Sequence, residues 1–294
     1  MKARLLSALL VFITVLTGCA GGHNQFLYLT GPATNEVFAF RAHSDGTVTP
    51  LGTPNFSTGS GPAGLAVHPP GDFIYIANSA GNNVTLLNIN KGNGELTVPP
   101  TNAALPPSPL IPPNIFNAGG GPVSIVIAPN APRAYVLNQA SGNISAFLID
   151  PSNGNLALIT NPPGNGPTST PAYGSFTQPT GMAISPKGDF LFVASPSQAA
   201  VFAFAVNSGD GSLAPVAGSP FSMGTGATPN ALTVDPSGRF LYVTDPAHNA
   251  VLAFSLQNGA PSPISGSPFA AGTQPSALTT DPGGAELFVA NSGS

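Results

Sequence analysis

The chain of 294 residues carries 7 Lys and Arg against 11 Asp and Glu, with 35 Gly, 34 Pro and a single Cys. Only 6% of its residues are charged and the formal net charge is −4, so no basic patch exists for nucleic acid. The lone cysteine, Cys19, excludes disulfides, a cysteine-ligated zinc and a cysteine nucleophile in the body, which leaves the core to supply the stability.

Residues 1–18 read as a lipoprotein signal peptide and residues 19–25 as a lipidated tether. Lys2 and Arg4 form a basic n-region, and Leu5 to Leu16 is an apolar stretch too short to span a bilayer. The closing Leu16-Thr17-Gly18-Cys19 resembles the bacterial lipobox, in which cleavage precedes a cysteine that then carries lipid. The competing reading is an ordinary secretory signal with Cys19 near its cleavage site by chance. Acyl chains on Cys19, each buried CH₂ contributing about 0.8 kcal/mol, would hold the protein at a membrane without a spanning helix. The expected location is therefore the cell envelope, and Ala20 after the cysteine is compatible with outer-membrane sorting.

Residues 26–294 read as one all-β domain, a β-propeller of four-stranded antiparallel blades. An inner strand led by proline recurs five times: Leu65-Ala-Val67, Ile125-Val-Ile127, Met182-Ala-Ile184, Leu232-Thr-Val234 and Leu278-Thr-Thr280, each followed by a proline two residues on. Second strands follow, alternating aromatic and aliphatic: Phe73-Ile-Tyr75, Ala134-Tyr135-Val, Phe190-Leu-Phe192, Phe240-Leu-Tyr242 and Leu287-Phe288-Val. Third strands such as Val84-Thr-Leu86 and Val251-Leu-Ala-Phe254 run into Asn- and Asp-Gly turns that signal hairpins. The fourth strand is the weakest, ending in Gly218-Ser-Pro-Phe221 or Gly266-Ser-Pro-Phe269, where proline blunts an outer edge.

Phe26-Leu-Tyr28, Glu36-Val-Phe38 and Thr47-Val-Thr-Pro50 supply strands two to four of a first blade, and Pro275 to Asn291 supplies strands one and two of a last. About five and a half blades result, and the chain is expected to be C-terminally incomplete; the alternative is a strained or open six-blade ring. The leading prolines draw closer along the chain because extra residues fall after the early fourth strands, in Pro99 to Gly121 and Thr160 to Gln178. Those insertions are either a binding surface or plain spacers.

The units Pro179-Thr-Gly-Met-Ala-Ile-Ser-Pro-Lys-Gly-Asp-Phe-Leu-Phe-Val-Ala and Pro229-Asn-Ala-Leu-Thr-Val-Asp-Pro-Ser-Gly-Arg-Phe-Leu-Tyr-Val-Thr resemble repeats of the lactonase-family seven-bladed propellers. That family includes the propeller type of 6-phosphogluconolactonase, the muconate-lactonising enzymes and secreted proteins with YVTN-type repeats. The resemblance implies a histidine just after a blade's leading proline, with arginine and acidic residues around the central channel. Here Ala63, Val123, Thr180, Asn230 and Ser276 occupy those slots.

Lactone hydrolysis needs a general base and donors for the developing oxyanion. The histidines are His23 in the tether, His43 in a hairpin, His68 before Pro69 and His248 in the loop after Asp245. His248 with Asp245 is either a reactive pair or part of a solvated turn. Asp45, Asp150, Asp210 and their like read as turn residues that bind their own backbone. The second-strand ends, Asn78, Asn138, Ser195, Asp245 and Asn291, are expected to form a polar ring at one mouth of the channel, able to bind a sugar-like ligand or water. Nucleophile-elbow, zincin, P-loop and dinucleotide signatures are absent, so no cofactor or metal is expected. Two classes of function stay open: an envelope-anchored module that binds a saccharide or an envelope protein, and a lactone hydrolase resembling 6-phosphogluconolactonase.

Overall fold

The computed structural model describes residues 25–51, 56–99, 114–159 and 172–293. The signal peptide, Cys19, and most of both insertions (100–113 and 160–171) lie outside the described residues. Among those described, no helix is long and apolar enough to cross a membrane.

Six antiparallel sheets follow one another in chain order. Blade I holds Gln25–Gly31, Glu36–Ala42, Val48–Pro50 and Phe56–Ser57. Blades II to V are complete, with inner strands Pro62–Val67, Pro122–Ile127, Gly181–Ile184 and Leu232–Val234. Their second strands are Phe73–Asn78, Arg133–Asn138, Phe190–Ser195 and Phe240–Asp245, and their third strands Asn83–Ile89, Asn143–Ile149, Ala200–Val206 and Ala250–Gln257. Blade VI is the pair Pro275–Thr280 and Leu287–Asn291.

The fourth strand departs from the sequence expectation, because it is broken in two. Leu96–Thr97 pairs with the end of the blade II third strand, and Ile115–Asn117 with its beginning. Leu156–Leu158 and Ala172–Tyr173 do the same in blade III. The insertions thus leave from the middle of the outer strand, not after it. The reason is an unfinished ladder: the first residues of each third strand still present outward backbone groups that need partners. At the break, the Leu86 N–H donates to the Asn114 carbonyl, while in the short blades Ser219 and Ser267 hydroxyls accept the matching N–H of Ala203 and Ala253. Gly-Ser-Pro-Phe therefore joins the two halves of a fourth strand rather than ending it.

Apolar cores lie between successive blades. Val67, Ile74 and Ile76 of blade II meet Tyr28 and Val37 of blade I, and Met182, Leu191 and Val193 of blade IV meet Leu137 and Ile144 of blade III. Every residue of Phe73–Asn78 and of Arg133–Asn138 is buried, which explains second strands apolar on both faces.

A polar lock crosses each of the first three boundaries. The hydroxyls of Tyr28, Tyr75 and Tyr135 donate to the carbonyls of Gly94, Gly154 and Gly211 in the hairpin of the next blade, at 2.8, 2.7 and 2.9 Å. Burial pushes the Tyr28 and Tyr75 hydroxyls far above their usual range and Tyr135 up to about 12, so all three stay protonated donors. Gly154 sits at φ +78° with space for a Cβ only 2.8 Å from the Phe73 ring, so both its conformation and its lack of side chain are needed. At the third boundary Arg133 takes the place of phenylalanine and donates to the carbonyls of Asn207, Ser208 and Gly209.

Tyr75→Phe should lower the unfolding free energy by about 1–2 kcal/mol, since it leaves a buried carbonyl unpaired. Tyr242→Phe, at the same register position but with no hydroxyl partner among the described residues, should change it by less than about 0.5 kcal/mol. Urea titration of both variants checks the difference.

Candidate functional site at the channel mouth

Strand register places the functional candidates. Pro62 pairs with Asn78, Asn78 with Asn83, and Asn83 with Asn117, so inner-strand starts, second-strand ends and the loops between blades share one end of the molecule. The same end carries Asp245, paired with Ala250, and Asn291, paired with Pro275.

Between the inner strands lies a cavity of about 460 Å³. Its apolar lining is Leu65, Ile125, Val126, Met182, Leu232 and Leu278 with Phe288 and Val289, and its polar lining is Ser124, Thr180, Asn230, Ser276 and Thr279. Among the described residues, no Lys, Arg, His, Asp or Glu lines it. The inner strands approach closely: a Cβ on Gly64 would stand 2.7 Å from the Val123 carbonyl oxygen.

Two of the slots after the leading prolines join blades. Thr180 donates its hydroxyl to the Asn230 carbonyl at 3.0 Å, and Asn230 donates its amide to the Ser276 carbonyl at 3.3 Å. Gln139 reaches the Pro179 carbonyl in the same way. The sequence led to a central channel but not to this lining or to these links, because no single residue type marks them.

The five second-strand ends stand at the expected end of the molecule but one layer outward, and none lines the cavity. Asn78 is fully buried and donates to Asn83 Oδ1 and Thr85 Oγ1; Asn138 does the same to Asn143 Oδ1 and Ser145 Oγ. Ser195 lies between the Thr177 carbonyl and Gln198 Oε1. The Oδ1 atoms of Asn78, Asn138 and Asn291 are buried with no hydrogen-bond partner among the described residues.

Asp245 is 2% exposed. One of its oxygens accepts the Thr228 N–H at 2.9 Å and the Thr228 hydroxyl at 3.3 Å, and the other lies 2.6 Å from His248 Nδ1. The sequence pointed to this pair, but not to Thr228. The His248 side chain is 51% exposed. Among the described residues, no group of three His, Cys, Asp or Glu is placed to hold a metal ion.

Asp45, Asp150, Asp210, Asp235 and Asp281 are turn formers, as their spacing suggested, whereas Asp72 pairs with Lys91 at 2.6 Å. Asp150 accepts the Ser152 N–H and hydroxyl, and Asp210 the Ser212 N–H. Burial raises the Asp235 carboxyl, but hydrogen bonds from Ser237, Phe240 and Arg239 outweigh it and hold the group below its ordinary range. His43 pairs with Thr49, and His23 lies outside the described residues.

His68 is buried against Phe73 with Nδ1 unpartnered. Burial holds its imidazole below the usual 6.5, against a weaker upward pull from Asp72. The unfolded chain therefore takes up the proton first, so this contribution is intact above about pH 6.5 and is lost as pH falls below it. The melting temperature should drop from pH 7 to pH 5, and His68→Leu should flatten that slope. The turn aspartates, held below 3.8, stay charged across the window.

A family model described as lactonase, 7-bladed beta-propeller, matches residues 20–228. No curated protein matches the chain. Among solved structures, a Bacteroides uniformis protein proposed to be a 6-phosphogluconolactonase is 20% identical, with TM-score 0.68, over 92% of this chain and 75% of that one. The Pseudomonas aeruginosa periplasmic gluconolactonase PpgL is 18% identical, with TM-score 0.66, over 92% and 76%. A second protein proposed to be a 6-phosphogluconolactonase, from Bacteroides fragilis, is 17% identical, with TM-score 0.66, over 94% and 72%. At these identities the likeness is one of fold.

Proposed function

Because the chain belongs to the lactonase family of seven-bladed β-propellers, we propose that it is an exported, lipid-anchored protein that binds and hydrolyses a small neutral sugar lactone at the channel mouth. The observation that carries this reading is the cavity. Its volume suits a single sugar ring, it offers hydroxyl and amide groups, and no charged side chain among the described residues lines it. A phosphorylated lactone would need converging cations, since an uncompensated dianion is costly to desolvate. An uncharged aldonolactone does not.

Export agrees with that choice. The basic n-region, the apolar stretch and the lipobox-like Leu16-Thr17-Gly18-Cys19 support transfer out of the cytosol, where sugar phosphates are confined. The P. aeruginosa neighbour is a periplasmic gluconolactonase, an activity of the same class and compartment. The second reading is a module that binds a saccharide or an envelope protein without turnover. It is favoured by one observation, that no acid or base among the described residues lines the cavity itself.

Protein lacking residues 1–19 should hydrolyse D-glucono-1,5-lactone saturably above the buffer rate and leave 6-phosphogluconolactone at the buffer rate. The reverse preference would overturn the neutral-substrate reading. Buffer rates on both, with saccharide binding detected by calorimetry, would favour the binding module instead. In the full-length chain, Cys19→Ser should move the protein from the membrane to the soluble fraction; retention on the membrane would contradict lipid anchoring.

A further inference from the structure

Each complete blade braces the end of its second strand with a side chain from the turn that follows or from the start of the third strand. Asn78 is braced by Asn83, Asn138 by Asn143 and Ser195 by Gln198, all with neutral amides or hydroxyls. Blade V alone among these four uses a carboxylate and an imidazole, Asp245 and His248. Bracing does not require a titratable pair, since three blades manage without one.

We infer that His248 is the general base of a hydrolytic centre, with Asp245 as its positioning residue. Asp245 is buried and cannot turn: Thr228 holds one carboxylate oxygen through N–H and hydroxyl, and the Thr228 hydroxyl in turn accepts the Ala247 N–H at 3.0 Å. The other oxygen fixes the His248 ring through Nδ1, which keeps the proton on that nitrogen and leaves the Nε2 lone pair free to accept one. Gly226 flanks the free edge of the ring, where even a Cβ would stand 3.9 Å from Nε2. Asp245 ends the second strand beside the start of the blade V inner strand, and Thr228 is two residues before Asn230, which lines the cavity, so the pair stands at the mouth end of the channel, one layer outside the cavity's own lining.

This inference deepens the proposed function and rests on it for the identity of the substrate. With the sugar ring at the mouth and its carbonyl over residues 226–230, Nε2 takes a proton from water as the water oxygen bonds to the carbonyl carbon. The tetrahedral intermediate then collapses, the ring C–O bond breaks, and the proton on Nε2 passes to the departing alkoxide. The product is the open-chain hydroxy acid, and the imidazole is restored without a cofactor.

The test compares wild type, His248→Ala, His248→Gln and Asp245→Asn on D-glucono-1,5-lactone and, independently, on p-nitrophenyl acetate. His248→Gln copies the Ser195–Gln198 brace of blade IV and so keeps the fold while removing the base. Both His248 variants should lose kcat by roughly 100-fold or more with little change in KM. Added imidazole should restore part of the activity of His248→Ala, and Asp245→Asn should show a smaller loss in kcat. Full activity in His248→Gln would overturn the inference and reduce the pair to a brace. A wild type inert toward the lactone, but with p-nitrophenyl acetate hydrolysis that His248→Gln abolishes and His43→Gln spares, would keep the base and refute the lactone. Ester hydrolysis equal in all variants would overturn the base whatever the substrate.

Discussion

The structure depends on how one blade seats against the next. In the first three boundaries a tyrosine hydroxyl reaches from a second strand to a glycine carbonyl in the neighbouring hairpin, and an aromatic ring or Arg133 lies against the same turn. The apolar cores between blades supply most of the stabilisation, but they are non-directional. The hydroxyl-to-carbonyl contact is directional, and it fixes the depth at which each hairpin sits. Where the hydroxyl is missing, at Phe192, a two-residue Asn258-Gly259 turn lies against Phe190 instead.

The inner strands add their own contacts. Blades II and III approach so closely there that Gly64 tolerates no side chain, and at the last two boundaries, beyond the three tyrosine locks, Thr180 and Asn230 hydrogen-bond across to the next blade. Two of the five positions that the family resemblance assigns to a catalytic histidine, Thr180 and Asn230, are committed to joining blades. Polar chemistry is left to the rim and to the layer outside it. Blade V differs there, because its bracing pair is an acid and an imidazole.

The fold was largely legible because each blade repeats the same physical demands: a proline to stop the inner strand, aromatics for a sheet buried on both faces, and Gly-containing turns between strands. The split fourth strand was not legible. Ser219 and Asn114 act through their hydrogen bonds with the backbone of the third strand, and nothing local in the sequence distinguishes a strand that ends from one that pauses. The second-strand ends were found as a set but placed one layer too far inward, since strand periodicity tells which face a residue occupies and not how far its side chain lies from the axis. His248 and Asp245 stood out because their chemistry is rare in a chain with 6% charged residues, whereas Thr228, which fixes the pair, is one ordinary threonine among many.

The central claim is that the channel between the inner strands receives a neutral sugar lactone. A crystal structure of the protein soaked with a non-hydrolysable lactone analogue, such as a gluconolactam, tests it most directly. The account predicts the analogue inside the cavity, in contact with Ser124, Thr180, Asn230 and Ser276, with its carbonyl directed toward the 226–230 segment. An empty channel at saturating analogue, or a ligand seated elsewhere, would contradict it.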